Sequence, residues 1–300
     1  MATIYPIRKR IKELKEEFEI LKTGKESLLK IIDEAEIPES VYNSNSIENS
    51  TLTLKETEKI LLEMEVSRNI SVREIFEAKN LAHVIEYVRT KSKESELTQE
   101  LVLLLHQMLI GNINEMISGR FREKDEYVRI GTHIGSPPEK IEQLIKEILT
   151  EYNSENEVYF LDKIAKFHLD FEAIHPFNDG NGRIGRVVMN YQLSRLGFPV
   201  IIVRDKEKKG YYTAFNEYND FKITQKMEKI IVLGVMESLH KRVAYLRGNK
   251  IENLATYCKR AGKNVSSMLN SAKRQTIPAF REKGIWKISA DLVDSPTLAG

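Results

Sequence analysis

The sequence predicts an all-α core with a small β-hairpin flap, followed by a C-terminal winged helix-turn-helix. Three observations carry this. Apolar residues recur at spacings of three and four over most of the chain, the mark of helices that bury one face. The stretch "GRFREKDEYVRIGTHIGSPPEKI" interrupts that rhythm with short β-type runs around charged turn residues. After about Asn249 the pattern becomes helix, Ala-Gly turn, helix, then two short strands around Lys283-Gly284.

Taken in order, residues from Pro6 to about Glu36 read as helix through Ile11, Leu14, Phe18 and Leu21, and Pro38 is expected to break it. "SNSIENS", Ser44 to Ser50, follows; Ser and Asn are weak helix formers, so its lone carboxylate, Glu48, stands out. "TLTLKETEKILLEME" restarts a helix, with Thr53 and Glu56 at capping-box spacing. Helical segments continue through "REIFEAKNLAHVIEYVRT" and "LTQELVLLLHQMLI". Pro137-Pro138 ends the flap, and two helices are expected near 139–152 and 157–173. "VVMNYQLSRLG" and "QKMEKIIVLGVMESLHKRVAYLRG" complete the helical series.

Composition limits the function classes. The chain has 300 residues and a formal net charge of +2, so the whole molecule is not a polyanion binder. A single cysteine, Cys258, excludes an internal disulfide framework and a cysteine-based zinc site, and fits a reducing compartment. No run approaches the roughly 18 apolar residues of a membrane span. A cytoplasmic protein without a membrane partner is expected. Residues 251–300 hold eight Lys/Arg against four Asp/Glu, a local surplus of four.

Chemistry concentrates in "HPFNDGNGRIGR", His175 to Arg186. Gly180, Asn181 and Gly182 form a tight turn before a helix, where free N–H groups and the positive dipole end cradle an anion. Arg183 and Arg186 fall on one side of the first turn, and two guanidinium forks beside a backbone nest suit a polyphosphate. Asp179 offers a hard oxygen ligand of the kind a phosphate-bridging Mg²⁺ takes. His175 is the one side chain there that titrates near neutral pH. A base, a metal ligand, a nest and two arginines within twelve residues point to a phosphate site.

The string resembles the Fic family signature, H-P-F-x-[D/E]-G-N-G-R-x-x-R, at every fixed position, and the resemblance covers roughly residues 40–245. It implies the Fic fold and a protein adenylyltransferase, which transfers AMP from ATP to a Ser, Thr or Tyr hydroxyl of a target protein and releases pyrophosphate. Under it, His175 is the general base and Asp179 holds Mg²⁺. Gly180, Asn181, Gly182, Arg183, Ile184, Gly185 and Arg186 form the nucleotide-binding stretch, with Arg186 on the γ-phosphate. Tyr211 and Tyr212 resemble an adenine-pocket pair, and Asn219 sits where a nucleotide contact is supplied. Ile130, Gly131, Thr132 and His133 of the flap are expected beside the nucleotide, and the flap is expected to dock the target protein as an added strand. Gly182 favours AMP transfer over kinase-like chemistry.

"SNSIEN" resembles the family's inhibitory pattern, [S/T]-x-x-x-E-[G/N], in the class whose inhibitory helix precedes the core. The resemblance implies that Glu48 pairs with Arg186 and blocks the γ-phosphate position, through a short helix anchored by Ile47. The expected organisation is an N-terminal helical region over 1–95 with the inhibitory helix at about 40–50, a catalytic core over 96–245 and a winged-helix-like domain over 246–300. That last domain carries Lys273, Arg274, Arg281, Lys283 and Lys287, which suit DNA phosphates. A homodimer is a further expectation. Two alternatives stay open: a DNA-binding regulator whose core senses nucleotide, and an enzyme acting mainly in AMP removal.

Overall fold

A computed structural model describes residues 4–66, 69–131, 133–154 and 157–290. The chain separates into two compact units, one built from residues 37–232 with 1–4, the other from 5–36 with 233–300. The described residues are mainly helical, as predicted, and no helix among them is long and apolar enough to cross a membrane.

The first unit is organised around α7 (Phe160–Ile174) and α8 (Asn181–Arg195). Both are so thoroughly buried because they are packed on several sides. Phe171, Ile184, Val188 and Tyr191 are excluded from solvent together with Leu105 and Leu109 of α5 (Gln99–Ile110) and Leu81 and Val84 of α4 (Val72–Lys91). Each such side chain contributes about 1.5–3 kcal/mol relative to exposure. Caps set the helix starts. Ser71 and Thr98 accept from the N–H groups of Glu74 and Leu101. The predicted Thr53/Glu56 capping box is complete, opening α3 (Leu54–Glu58). The two helices expected after the flap are α6 (Ile141–Ser154) and α7.

The flap consists of β1 (Arg129–Ile130) and β2 (His133–Ile134), antiparallel, with Ile130 opposite His133. Thr132 lies outside the described residues.

The N-terminal pattern differs from expectation. Gly24, with φ +74°, separates α1 (Tyr5–Lys22) from α2 (Glu26–Ile47), and α2 runs straight through Pro38. Proline removes one ladder hydrogen bond and crowds the preceding turn. Burial of Ile37, Val41 and Ile47 offsets that cost. Ser44, Asn45 and Ser46 are therefore the last turns of a long helix rather than a short separate one.

In the second unit, α10 (Gln225–Leu246) contributes Arg242, which is fully buried. Its guanidinium donates to both Asp33 and Glu36 and to the Ser238 hydroxyl. The C-terminal part holds β3 (Ile251–Asn253), α11 (Leu254–Arg260), α12 (Val265–Lys273), β4 (Ala279–Glu282) and β5 (Ile285–Ser289). The strands form one antiparallel sheet in the order β3-β5-β4 around Leu254, Tyr257, Ala279 and Ile288. The β4–β5 hairpin turns at Lys283-Gly284 as predicted; β3 has too few residues to show an alternating pattern and was not expected.

Candidate active site

His175 ends α7 in a left-handed conformation (φ 53°), its N–H held by the Phe171 carbonyl. A non-glycine residue in this region costs free energy and persists only where its surroundings fix it. Its Nδ1–H points at the Glu172 carbonyl oxygen at 3.4 Å, with the Glu172 carboxylate oxygen 3.9 Å away. That tautomer leaves the lone pair on Nε2. Burial lowers the imidazole to about 4, so it is neutral at pH 7, the state a base requires.

The loop after His175 is clamped from within. Asn181 accepts from the Phe177 N–H at 2.8 Å and donates to the Phe177 carbonyl at 2.7 Å. Its side chain thus secures the loop, and only its backbone N–H is left for an anion. Phe177 is fully buried and stacks on His106, centroids 3.7 Å apart. His106 accepts from the Gly119 N–H through Nδ1, so its Nε2–H donates to the Asp179 carbonyl, each at 3.1 Å.

Gly180 (φ 82°) starts α8 with no side chain capping its N-terminus. The first N–H groups of the helix are therefore open toward an anion. Arg186 lies one turn in, 5% exposed. Its Nε donates to the Ser44 hydroxyl at 3.0 Å, and Nη2 donates to the Ser44 carbonyl at 2.9 Å and to Glu48 Oε1 at 2.8 Å. Nη1 is buried without a hydrogen-bond partner, which suits a further anion at the helix start. Burial alone would lower the guanidinium; the Glu48 carboxylate outweighs it and raises the pKa above its ordinary value.

Ser44 and Glu48 reach Arg186 together because they are four residues apart on one helix face. The end of α2 fixes where Glu48 points. The Asn49 N–H bonds to the Ser46 carbonyl and the Ser50 N–H to the Asn45 carbonyl, while Asn49 takes φ 69°. This is a Schellman closure, with Asn49 at the left-handed position that Gly or Asn fills best. Ile47 is fully buried.

Asp179 is engaged on both oxygens. Oδ1 accepts from Arg183 at 2.9 Å and from the Gly180 N–H at 2.6 Å, and Oδ2 pairs with Arg73. Glu77 binds both arginines, 3.0 Å from Arg73 and 3.3 Å from Arg183. Burial pushes the Asp179 carboxyl up, but Arg183 and Arg73 outweigh that and hold it below its usual value. Glu172 is the opposite case: burial, reinforced by Glu48, raises it to about 8, and its Oε1 is buried without a hydrogen-bond partner.

The remaining predicted residues divide. Ile184 is core, and Gly185 passes close to Glu172 and His168, leaving no room for a side chain. Tyr211 of α9 (Lys208–Phe221) is buried, sharing a 2.6 Å hydrogen bond with His168 and lying 5.8 Å beneath Arg186. Tyr212 is 39% exposed and donates to the Ile47 carbonyl at 3.2 Å, so it touches the end of α2. Asn219 is half-buried on α9. Ile130 and Gly131 lie at the flap tip, and His133 is in β2. Sequence reasoning missed Arg73, Glu77, His106, Arg122 and Glu172: only the fold brings Arg73 to Asp179, Glu77 to Arg183, His106 to the Asp179 carbonyl and Arg122 to the His175 carbonyl, and Glu172 is set apart by its burial.

Residues 96–193 match the model of the Fic/DOC family. This segment belongs to the Fic/DOC family. The chain is 30% identical over 183 residues to a protein adenylyltransferase Fic of Nematostella vectensis, covering 60% of this chain and 42% of that protein. A protein of the same name from Drosophila grimshawi is 30% identical over 57% of this chain and 36% of its own length. The chain thus spans less than half of the curated relatives it matches. Among solved structures, a Fic domain containing signaling protein from Bacteroides thetaiotaomicron superposes with a TM-score of 0.73 at 23% identity, over 80% of this chain and 97% of that one. A Fic family protein from Desulfovibrio desulfuricans gives 0.68 at 19% identity over 97% and 98%. The fold is a Fic fold.

Proposed function

We propose that the chain is a protein adenylyltransferase held in check by Glu48. The observation that carries this is the juxtaposition of a neutral His175 with the uncapped start of α8 and with Arg186, whose fork Glu48 already occupies. The relatives named protein adenylyltransferase support the same chemistry.

In this reading His175 Nε2 takes the proton of the target hydroxyl. The hydroxyl oxygen bonds to the α-phosphorus of ATP, the bond from that phosphorus to the β-phosphate bridge breaks, and pyrophosphate leaves. The open N–H groups of α8 stabilise charge on the α-phosphate, in a site preorganised by the Asn181 clamp. Asp179 fits a divalent cation in chemistry, a single hard carboxylate beside a phosphate cradle. It would hold Mg²⁺, which neutralises phosphate charge, once Arg73 gives up Oδ2. Arg186 receives the γ-phosphate only after Glu48 leaves. Without that contact the triphosphate is not aligned for attack.

The test uses labelled ATP and Mg²⁺ with the Glu48→Gly protein, alone and with cell lysate. Label is expected on protein, and His175→Ala in the same background should abolish it. ATP binding with no labelled protein would refute the enzyme reading.

We further read residues 250–290 as a winged-helix-like module that binds DNA. In support, Lys273 and Arg274 are exposed at the end of α12. Two basic residues of the hairpin are already paired, however: Arg281 with Glu237 at 2.6 Å and Lys287 with Glu282 at 2.5 Å. A salt-dependent mobility shift of the full chain tests it, with loss of the shift in Lys273→Ala/Arg274→Ala expected. No retention of DNA even at low salt would refute it.

A further inference from the structure

Arg122 is 3% exposed, and every contact it makes with its guanidinium is to a backbone carbonyl. Nε donates to His175 at 2.8 Å, Nη1 to Glu126 at 2.7 Å, and Nη2 to Ser136 at 2.8 Å and Ile174 at 3.4 Å. Its own N–H donates to the Pro176 carbonyl at 2.9 Å. Among the described residues, no carboxylate oxygen lies within hydrogen-bond reach of it. Burial accordingly lowers its pKa, opposed in part by Glu126.

The four carbonyls belong to three places. Glu126 precedes β1, Ser136 follows β2, and Ile174 with His175 ends α7. One planar fork therefore ties both legs of the flap to the residue that carries the base. The flap needs such a tie. Its ladder has only two residue pairs, Arg129 with Ile134 and Ile130 with His133, and hairpins this short are not stable alone. Its other anchors lie at the same root, where Gly135 N–H bonds to the Val128 carbonyl at 3.0 Å and Ser136 N–H to the Ile174 carbonyl at 3.2 Å. Packing there leaves no slack. A Cβ on Gly135 would stand 3.1 Å from Arg122 Nη2 and 3.3 Å from the His175 Cβ.

We infer that Arg122 is a positioning residue that sets the flap against His175, and so sets where a hydroxyl carried by a protein docked on the flap meets the base. Lysine cannot replace it, because a single ammonium cannot span carbonyls on separate segments. This inference rests on the adenylyltransferase reading for its effect on rate, but not for its effect on the flap.

The experiment combines two readouts in the Glu48→Gly variant of this chain. Hydrogen exchange at the Gly135 and Ser136 amides reports the root directly. Labelling from labelled ATP reports the chemistry, and ATP affinity reports the nucleotide site. Arg122→Lys is expected to raise exchange at both amides by about tenfold or more and to slow labelling by a similar factor, with ATP affinity within about twofold. Gly135→Ala, which keeps the guanidinium but crowds it, is expected to change the same readouts in the same direction. It also decides the matter if Arg122→Lys does not fold. Unchanged exchange at Gly135 and Ser136 in the folded variants overturns the inference. If the Glu48→Gly parent labels nothing, the enzyme reading fails while the exchange result still decides the role of Arg122.

Discussion

Glu48 and Gly182 share one space. The Glu48 carboxylate lies where a side chain on residue 182 would have to be, closer than any real contact allows, and Arg186 Nη1 would be 3.1 Å from the same Cβ. A side chain at residue 182 would therefore displace the Glu48 carboxylate from its place beside Arg186.

That relationship predicts a coupling. Gly182→Ala should force Glu48 off Arg186 and destabilise the protein by about 1–3 kcal/mol, the range for overpacking. In the Glu48→Gly background the same substitution should cost markedly less, a coupling of about 0.5–3 kcal/mol. Urea denaturation of the four proteins measures it. Equal costs in both backgrounds would show that the two residues do not compete.

The closure of α2 predicts a graded effect at Asn49. Asn49→Gly should be tolerated, because glycine takes φ 69° freely. Asn49→Val should cost about 1–2 kcal/mol or more, since a β-branched residue resists the left-handed region. It should also raise labelling by loosening Glu48. Thermal melts and labelling assays on both variants check this; equal behaviour would refute it.

The buried histidines predict acid sensitivity. His106, His175 and His240 are lowered by burial to about 4, and His168 to about 3, from an ordinary 6.5. The unfolded chain takes up these protons near 6.5 and the folded one does not, so stability falls as pH drops from 6.5 toward 4. Glu172 acts oppositely: raised to about 8, it keeps an extra proton in the fold between its ordinary 4.5 and 8, which favours folding as pH falls through that window. Four groups against one give a net loss below 6.5. The urea midpoint should be lower at pH 4.5 than at 6.5; a flat or rising midpoint would contradict this.

What could be read in the sequence was what is compressed locally. His175 to Arg186 holds its turn, its charges and its helix start within twelve residues, and Thr53 caps its own helix three residues on. The flap and the Lys283-Gly284 hairpin announced themselves by turn chemistry. The rest depends on distant partners. Pro38 would stop an isolated helix, but tertiary burial on either side carries α2 through it. Arg122 is one arginine among many charged residues until the fold brings four carbonyls around it. Arg281 and Lys287 read as free wing cations because Glu237 and Glu282 are not visible as their partners in a linear chain.

The proposed brake is the Glu48–Arg186 contact, which holds back transfer. The most direct measurement is the initial rate of protein labelling from labelled ATP and Mg²⁺, compared between the wild-type chain and Glu48→Gly at equal concentration. A rise of about tenfold or more is expected on removing the carboxylate, lost again when His175 is replaced by Ala. Equal rates in the wild-type and Glu48→Gly proteins would contradict it.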